Sequence, residues 1–178
     1  MKKTVLLLVL IFFGFFFTQT VRADYVLPYP SYMPGNRLYK VMRVIDTMKR
    51  YWYFGNIAQT KYHLELSDKY LVEAKTLLEY NQFLLASDAL AGSDKEFMQI
   101  DVYLNMAKTG GVDISALRGT VLSAADKHIS ILKALKLNTP VKFTWKPEKA
   151  LPTELNLGSM LQSSIDLRVR VATATAAL

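Results

Sequence analysis

Apolar positions recur at intervals of three, four and seven along most of this chain, a spacing that predicts helices rather than strands. Between Ile57 and Asn81 there is no proline or glycine, and Ile57, Leu64, Leu71 and Leu78 stand seven apart with Thr60, Ser67 and Ala74 beside them. Small residues on such a seam let a neighbouring helix approach closely. Tyr62, Leu66, Tyr70 and Leu77 give the same segment a second apolar stripe, so it is expected to be a central helix with partners on two sides. After a break at Asn81-Gln82, the residues Phe83, Leu90, Phe97 and Leu104 form another seam of the same period, flanked by Ala86, Ile100 and Ala107. Two matched seams joined by so short a break predict an antiparallel hairpin. Gly92 lies within the second seam, where glycine costs about 1 kcal/mol relative to alanine. With Ser93, Asp94 and Glu96 following it, a kink or a split is expected there.

Three further helices follow from the same pattern. Leu38, Val41, Met42, Ile45, Met48 and Trp52 mark an amphipathic helix from Leu38 to Tyr53, ended by Gly55-Asn56. The aromatic run Tyr51 to Phe54 is expected to pack the corner of the core. Leu117, Val121, Ala124, His128, Ile131 and Leu135 line a helix from Ser115 to Leu137, opened by Asp113 as N-cap after the stop at Gly110-Gly111. Residues 138–152, with Pro140, Pro147 and Pro152, form a long connection in which Val141 to Trp145 is a strand-like edge. Pro152-Thr153 is expected to open the last helix, on Leu155, Leu161, Ile165 and Val169. The tail from Arg168 to Leu178 also fits a strand, because its valines and arginines alternate.

The ends of this pattern set the domain organisation. Lys2 and Lys3 precede an apolar stretch from Val5 to Phe17, and Val21 and Ala23 occupy the positions a signal peptidase requires, so 1–23 reads as a signal peptide cleaved before Asp24. Retention as a tilted membrane anchor is the alternative. Residues 24–36 form a proline-rich extended leader, with Leu27, Tyr29, Tyr32 and Met33 expected to lie along a groove between helices. Residues 37–178 are then a single helical domain. The expected fold is all-α, an antiparallel hairpin-based bundle of four or five helices behind an N-terminal signal segment.

Composition narrows the function. Without residues 1–23 the chain keeps 19 basic and 15 acidic residues, a mild excess that does not mark a nucleic-acid binder. There is no cysteine, hence no disulfide, thiolate nucleophile or cysteine metal site. His63 and His128 fall on different helices, which rules out a two-histidine metal helix, and each is read as a surface or packing histidine. The carboxylates alternate with lysines and arginines and read as solvated helix faces. Neither a catalytic constellation, nor a cofactor motif, nor a metal motif is legible. Above this background stands one charge pattern: Arg37, Lys40, Arg43, Lys49 and Arg50 on the first helix, opposed by Asp46, a basic flank suited to an anionic membrane surface or an acidic envelope polymer. Tyr62 and Tyr70 are the candidates for aromatic contact with a protein partner.

Leu27-Pro28-Tyr29-Pro30, Met33-Pro34 and Leu38-Tyr39 precede that basic helix, and the run from Lys61 to Leu78 carries Leu71-x-Glu73-Ala74-x-x-Leu77. In these features residues 25–107 resemble a family of exported bacterial domains of unknown function, the one numbered 5667, although Arg37 stands where that family often has a proline. The resemblance implies an extracytoplasmic helical domain and brings no catalytic residue. The expectation is therefore an exported protein, periplasmic, secreted or on the outer face of the cell membrane, acting as a non-enzymatic envelope or surface interaction and structural protein. The rivals are a tetratricopeptide-like peptide-binding module and a carboxylate-dependent envelope hydrolase.

Overall fold

The computed structural model describes residues 24–149 and 151–178, so the expected signal peptide or anchor lies outside the described residues. Among the described residues are five helices: α1 (Tyr39–Lys49), α2 (Asn56–Glu79), α3 (Phe83–Thr109), α4 (Ser115–Asn138) and α5 (Leu157–Ala177). Two short strands, β1 (Phe143–Trp145) and β2 (Thr153–Leu155), separate α4 from α5. The fold is an all-α bundle. None of the described helices is long and apolar enough to cross a membrane.

The two seven-residue seams form the expected antiparallel hairpin. Leu64, Leu71 and Leu78 of α2 and Leu90, Phe97 and Leu104 of α3 are buried, and α2 packs more extensively on α3 than any other pair of elements does. The small seam residues bring the two backbones close. Ser67 Oγ donates to the Ser93 carbonyl and Ser93 Oγ to the Ser67 carbonyl, both at 2.9 Å. α3 is not split at Gly92. The helix continues through residue 92, where α2 sets the Tyr70 ring and a Cβ would lie 3.1 Å from it. The glycine answers a close approach, not a break in the helix.

α5 and α4 close the bundle: α5 packs on both α4 and α3, while α2 and α4 touch over a shorter stretch. The leader crosses beside that looser seam, with Leu27 and Met33 against one core cluster and Tyr25 against another, as expected of a groove-lying segment. Tyr29 and Tyr32 are exposed instead. No backbone-to-backbone hydrogen bond among the described residues holds 24–32.

Three local expectations need correction. Thr153 does not open a helix, because Thr153–Leu155 pairs antiparallel with Phe143–Trp145, and α5 starts only at Leu157, capped by Asn156 Oδ1 accepting from the Ser159 N–H at 3.0 Å. Residues 168–177 are helix, and burial of Arg168, Val171 and Thr175 gives them a helical period. At the α1–α2 corner, Tyr51, Trp52 and Phe54 are exposed, since the chain turns through Gly55 at φ 84° before their rings reach the core.

Candidate functional site

Helix α1 is attached to the bundle by its polar side. Tyr39 Oη donates to Glu73 Oε1 at 2.8 Å, and Arg43 Nη2 donates to Glu73 Oε2 at 2.5 Å and to Tyr39 Oη at 2.9 Å. The Arg43 guanidinium lies 3.8 Å above the centre of the Tyr70 ring, a cation–π contact. Further along, Lys69 Nζ donates to Asp46 Oδ1 at 2.9 Å, and Tyr62 Oη to the Asp46 carbonyl at 3.0 Å. Asp46 is the only buried residue of α1, and none of its apolar residues joins a core cluster. Burial pushes the Glu73 carboxyl up, against the opposing pull of Tyr39 and Arg43. Tyr62 is pushed up to about 12 by burial and then by the charge of Glu96.

The apolar side of α1 consequently faces out. Leu38, Val41, Val44, Ile45 and Met48 are exposed, Val44 to 58%. The corner continues the surface, with Trp52 65% and Phe54 82% exposed. An amphipathic helix in a soluble bundle ordinarily does the reverse.

The structure splits the basic flank read from the sequence. Arg43 is turned inward and held by Glu73. Lys49 sits 3.7 Å from Asp46 and 3.8 Å from Glu65, and Arg50 Nη2 reaches Tyr103 Oη at 3.4 Å. Arg37 and Lys40 are exposed and, among the described residues, in no ion pair. Tyr62 and Tyr70 are both engaged within the protein, Tyr62 buried and Tyr70 half-buried. Tyr62 is 5% exposed beneath α1, and Tyr70 is covered by Arg43 on one side and Gly92 on the other, because the second stripe of α2 receives α1.

A second set of polar residues lies inside the bundle. Asp68 accepts from Tyr25 Oη at 2.6 Å and from His128 Nε2 at 2.8 Å, tying leader, α2 and α4 together. A carboxylate only accepts, so Nε2 of His128 carries the proton and Nδ1, buried without a partner among the described residues, keeps a lone pair. Burial pushes the imidazole pKa down, opposed by Asp68. Arg168, fully buried on α5, pairs with Asp94 of α3 and donates to Ser93 Oγ at 2.7 Å, while Ser164 Oγ donates to Asp94 at 2.7 Å. His63 Nδ1 meets Glu96 Oε2 at 2.7 Å, its ring stacked on Tyr103. His63 and His128 are thus buried members of charged networks, and Asp46, Asp68 and Glu73 are buried as well, not solvated helix faces.

These dyads resemble the base-and-orienter geometry of catalytic sites, and both histidine rings are buried. An open trough of about 930 Å³ runs between residues 24–26 and α4. Its two carboxylates are Asp24, paired with Lys127 at 2.8 Å, and Asp126, and they sit on an open surface. Among the described residues no three His, Asp or Glu side chains converge as metal ligands. Sequence reasoning missed all three networks because the partners stand 33, 60 and 74 residues apart. One signal was available: Arg168 falls at helical spacing on the stripe Leu157, Leu161, Ile165, which placed it on a buried face.

Comparison with known protein families, with curated proteins and with solved structures yields no match to this chain.

Proposed function

We propose that the protein is a non-enzymatic interaction or structural protein of the cell envelope, exported behind its N-terminal segment, and that α1 with its aromatic corner is the contact element. One observation carries this reading: α1 is bonded to the bundle through Tyr39, Arg43 and Asp46 and leaves its apolar stripe in solvent. A helix of 11 residues is marginal alone, so these polar bonds are what hold the stripe in position. Contiguous exposed apolar surface of this kind marks an interaction site. The polar groups that could have served catalysis are engaged with one another inside the bundle, as His128 is with Asp68. A tetratricopeptide-like reading fits less well, because β1 and β2 interrupt the succession of helix pairs.

The chain has no cysteine, so a single introduced one can carry a polarity-sensitive fluorophore. With the probe on Val44→Cys, adding an unfractionated cell-envelope preparation should shift emission to the blue. The same probe on Ala174→Cys, exposed on α5, should not respond. No shift at residue 44 would remove α1 as the contact element.

A further inference from the structure

The occupant of the α1 face can be read from its charge and its aromatic content. This step rests on the interaction reading above and adds the partner's chemistry.

We infer that α1 docks flat on an anionic lipid bilayer, with Val44, Met48 and Trp52 inserted among the acyl chains and Arg37 and Lys40 at the headgroups. The residues 39–49 span about 16 Å at 1.5 Å per residue, the size of an interfacial helix and far short of a spanning one. Such helices lie in the membrane plane with the apolar face down and cations along the margin. Arg37 and Lys40 stand at one end of the stripe, and Lys49 and Arg50 at the other.

Two of the acids of this region are withdrawn from the same surface. Asp46 is buried against Lys69 and Glu73 against Arg43, while Glu65 stays on the surface beside Lys49, so Arg37 and Lys40 are cations of this face left outside ion pairs among the described residues. Trp52, Tyr51 and Phe54 extend the face past the end of the helix. Tryptophan and tyrosine concentrate at the membrane–water boundary, where an apolar ring with a polar atom is best accommodated. A second copy of this chain fits poorly as the occupant, since pairing the two faces would set Arg37 and Lys40 against their own equivalents if parallel and against Lys49 and Arg50 if antiparallel.

The test uses the protein as cells export it, labelled at Val44→Cys, with vesicles of phosphatidylcholine alone or mixed with phosphatidylglycerol. The expected result is a blue shift at residue 44 with the mixed vesicles, weak or absent with phosphatidylcholine, and none at Ala174→Cys. Arg37→Gln and Lys40→Gln, both on exposed side chains outside the bundle's bonds, should each raise the lipid concentration for half-binding roughly fivefold. Val44→Ser with Met48→Ser, read by probe on Thr47→Cys, should abolish the shift while leaving the circular dichroism unchanged. Because the probe reports insertion at α1 itself, a retained N-terminal anchor would bring both labelled sites to vesicles without selecting residue 44. Equal response to both lipid compositions, or indifference to Arg37→Gln and Lys40→Gln, overturns the anionic docking. A shift with envelope material but none with either vesicle overturns the lipid assignment and leaves the contact reading standing, whereas silence in both overturns the two together.

Discussion

At the scale of single residues, the molecule concentrates its unusual chemistry at His128 and Arg168. Burial lowers the His128 pKa, and the groups facing it are Asp68 from α2, Asp94 from α3 and Arg168 from α5. The sign follows directly: a histidine whose folded pKa lies below its unfolded value of about 6.5 contributes stability above that pH, and the contribution fades as pH falls through the folded value. Protonation would also give Nδ1 a buried proton with no acceptor. Thermal denaturation should therefore show a midpoint that drops with acidification below about pH 6.5, and His128→Gln should flatten that slope even while lowering the midpoint at neutral pH. Arg168 is simpler. Its guanidinium is fully buried while the Asp94 side chain stays about a quarter exposed. Arg168→Met should cost on the order of 3 kcal/mol in urea unfolding, the lower end for breaking a buried pair, because water still reaches Asp94. Arg168→Met with Asp94→Asn should recover part of that loss.

At the scale of elements, the α2–α3 hairpin is organised by its small residues, and Gly92 is the sharpest case. Replacing glycine by alanine in a helix interior usually stabilises by about 1 kcal/mol. Here the new Cβ would press on Tyr70 at 3.1–3.3 Å, and the ring would have to shift against the Arg43 guanidinium 3.8 Å above it. Gly92→Ala should destabilise by about 1 kcal/mol, within the ordinary range for overpacking. In a Tyr70→Ala background the same change should turn stabilising, and urea midpoints of the four proteins give the coupling. The leader depends on a few side-chain contacts in a comparable way. With no backbone bonds over 24–32, it is fixed by Tyr25 on Asp68, by Asp24 on Lys127 and by the packing of Leu27. Tyr25→Phe should cost about 1–3 kcal/mol by leaving a buried oxygen of Asp68 unpaired, and limited proteolysis should then cut within 24–33 faster than in the wild type.

At the scale of the whole molecule, one end of the chain organises the proposed function: an apolar run at 5–17, a leader strapped across the α2–α4 seam, and a helix with its apolar side out. Cleavage before Asp24 would leave α1 as the main membrane contact, whereas retention would add a tether. Sequencing of the exported protein's N-terminus should begin Asp24-Tyr25-Val26, and intact Met1 or Lys2 would establish the tether.

The seams of α2 and α3, the span of α4 and the proline-bounded connection were legible in the linear pattern. Burial of a helix face imposes a local period of three and four, and a period survives in the sequence whatever the partner helix is. The direction α1 faces was not legible in the same way. Its stripe has the right spacing for a core, and only the tertiary structure decides that Glu73, Lys69 and Tyr62 capture its polar side first. The buried pairs were hidden for the same reason, since charge complementarity between Asp68 and His128, or Asp94 and Arg168, acts through space and leaves no spacing in the chain. Local periodicity was therefore enough for the helices, while the contact surface and the internal charge network depended on which faces met.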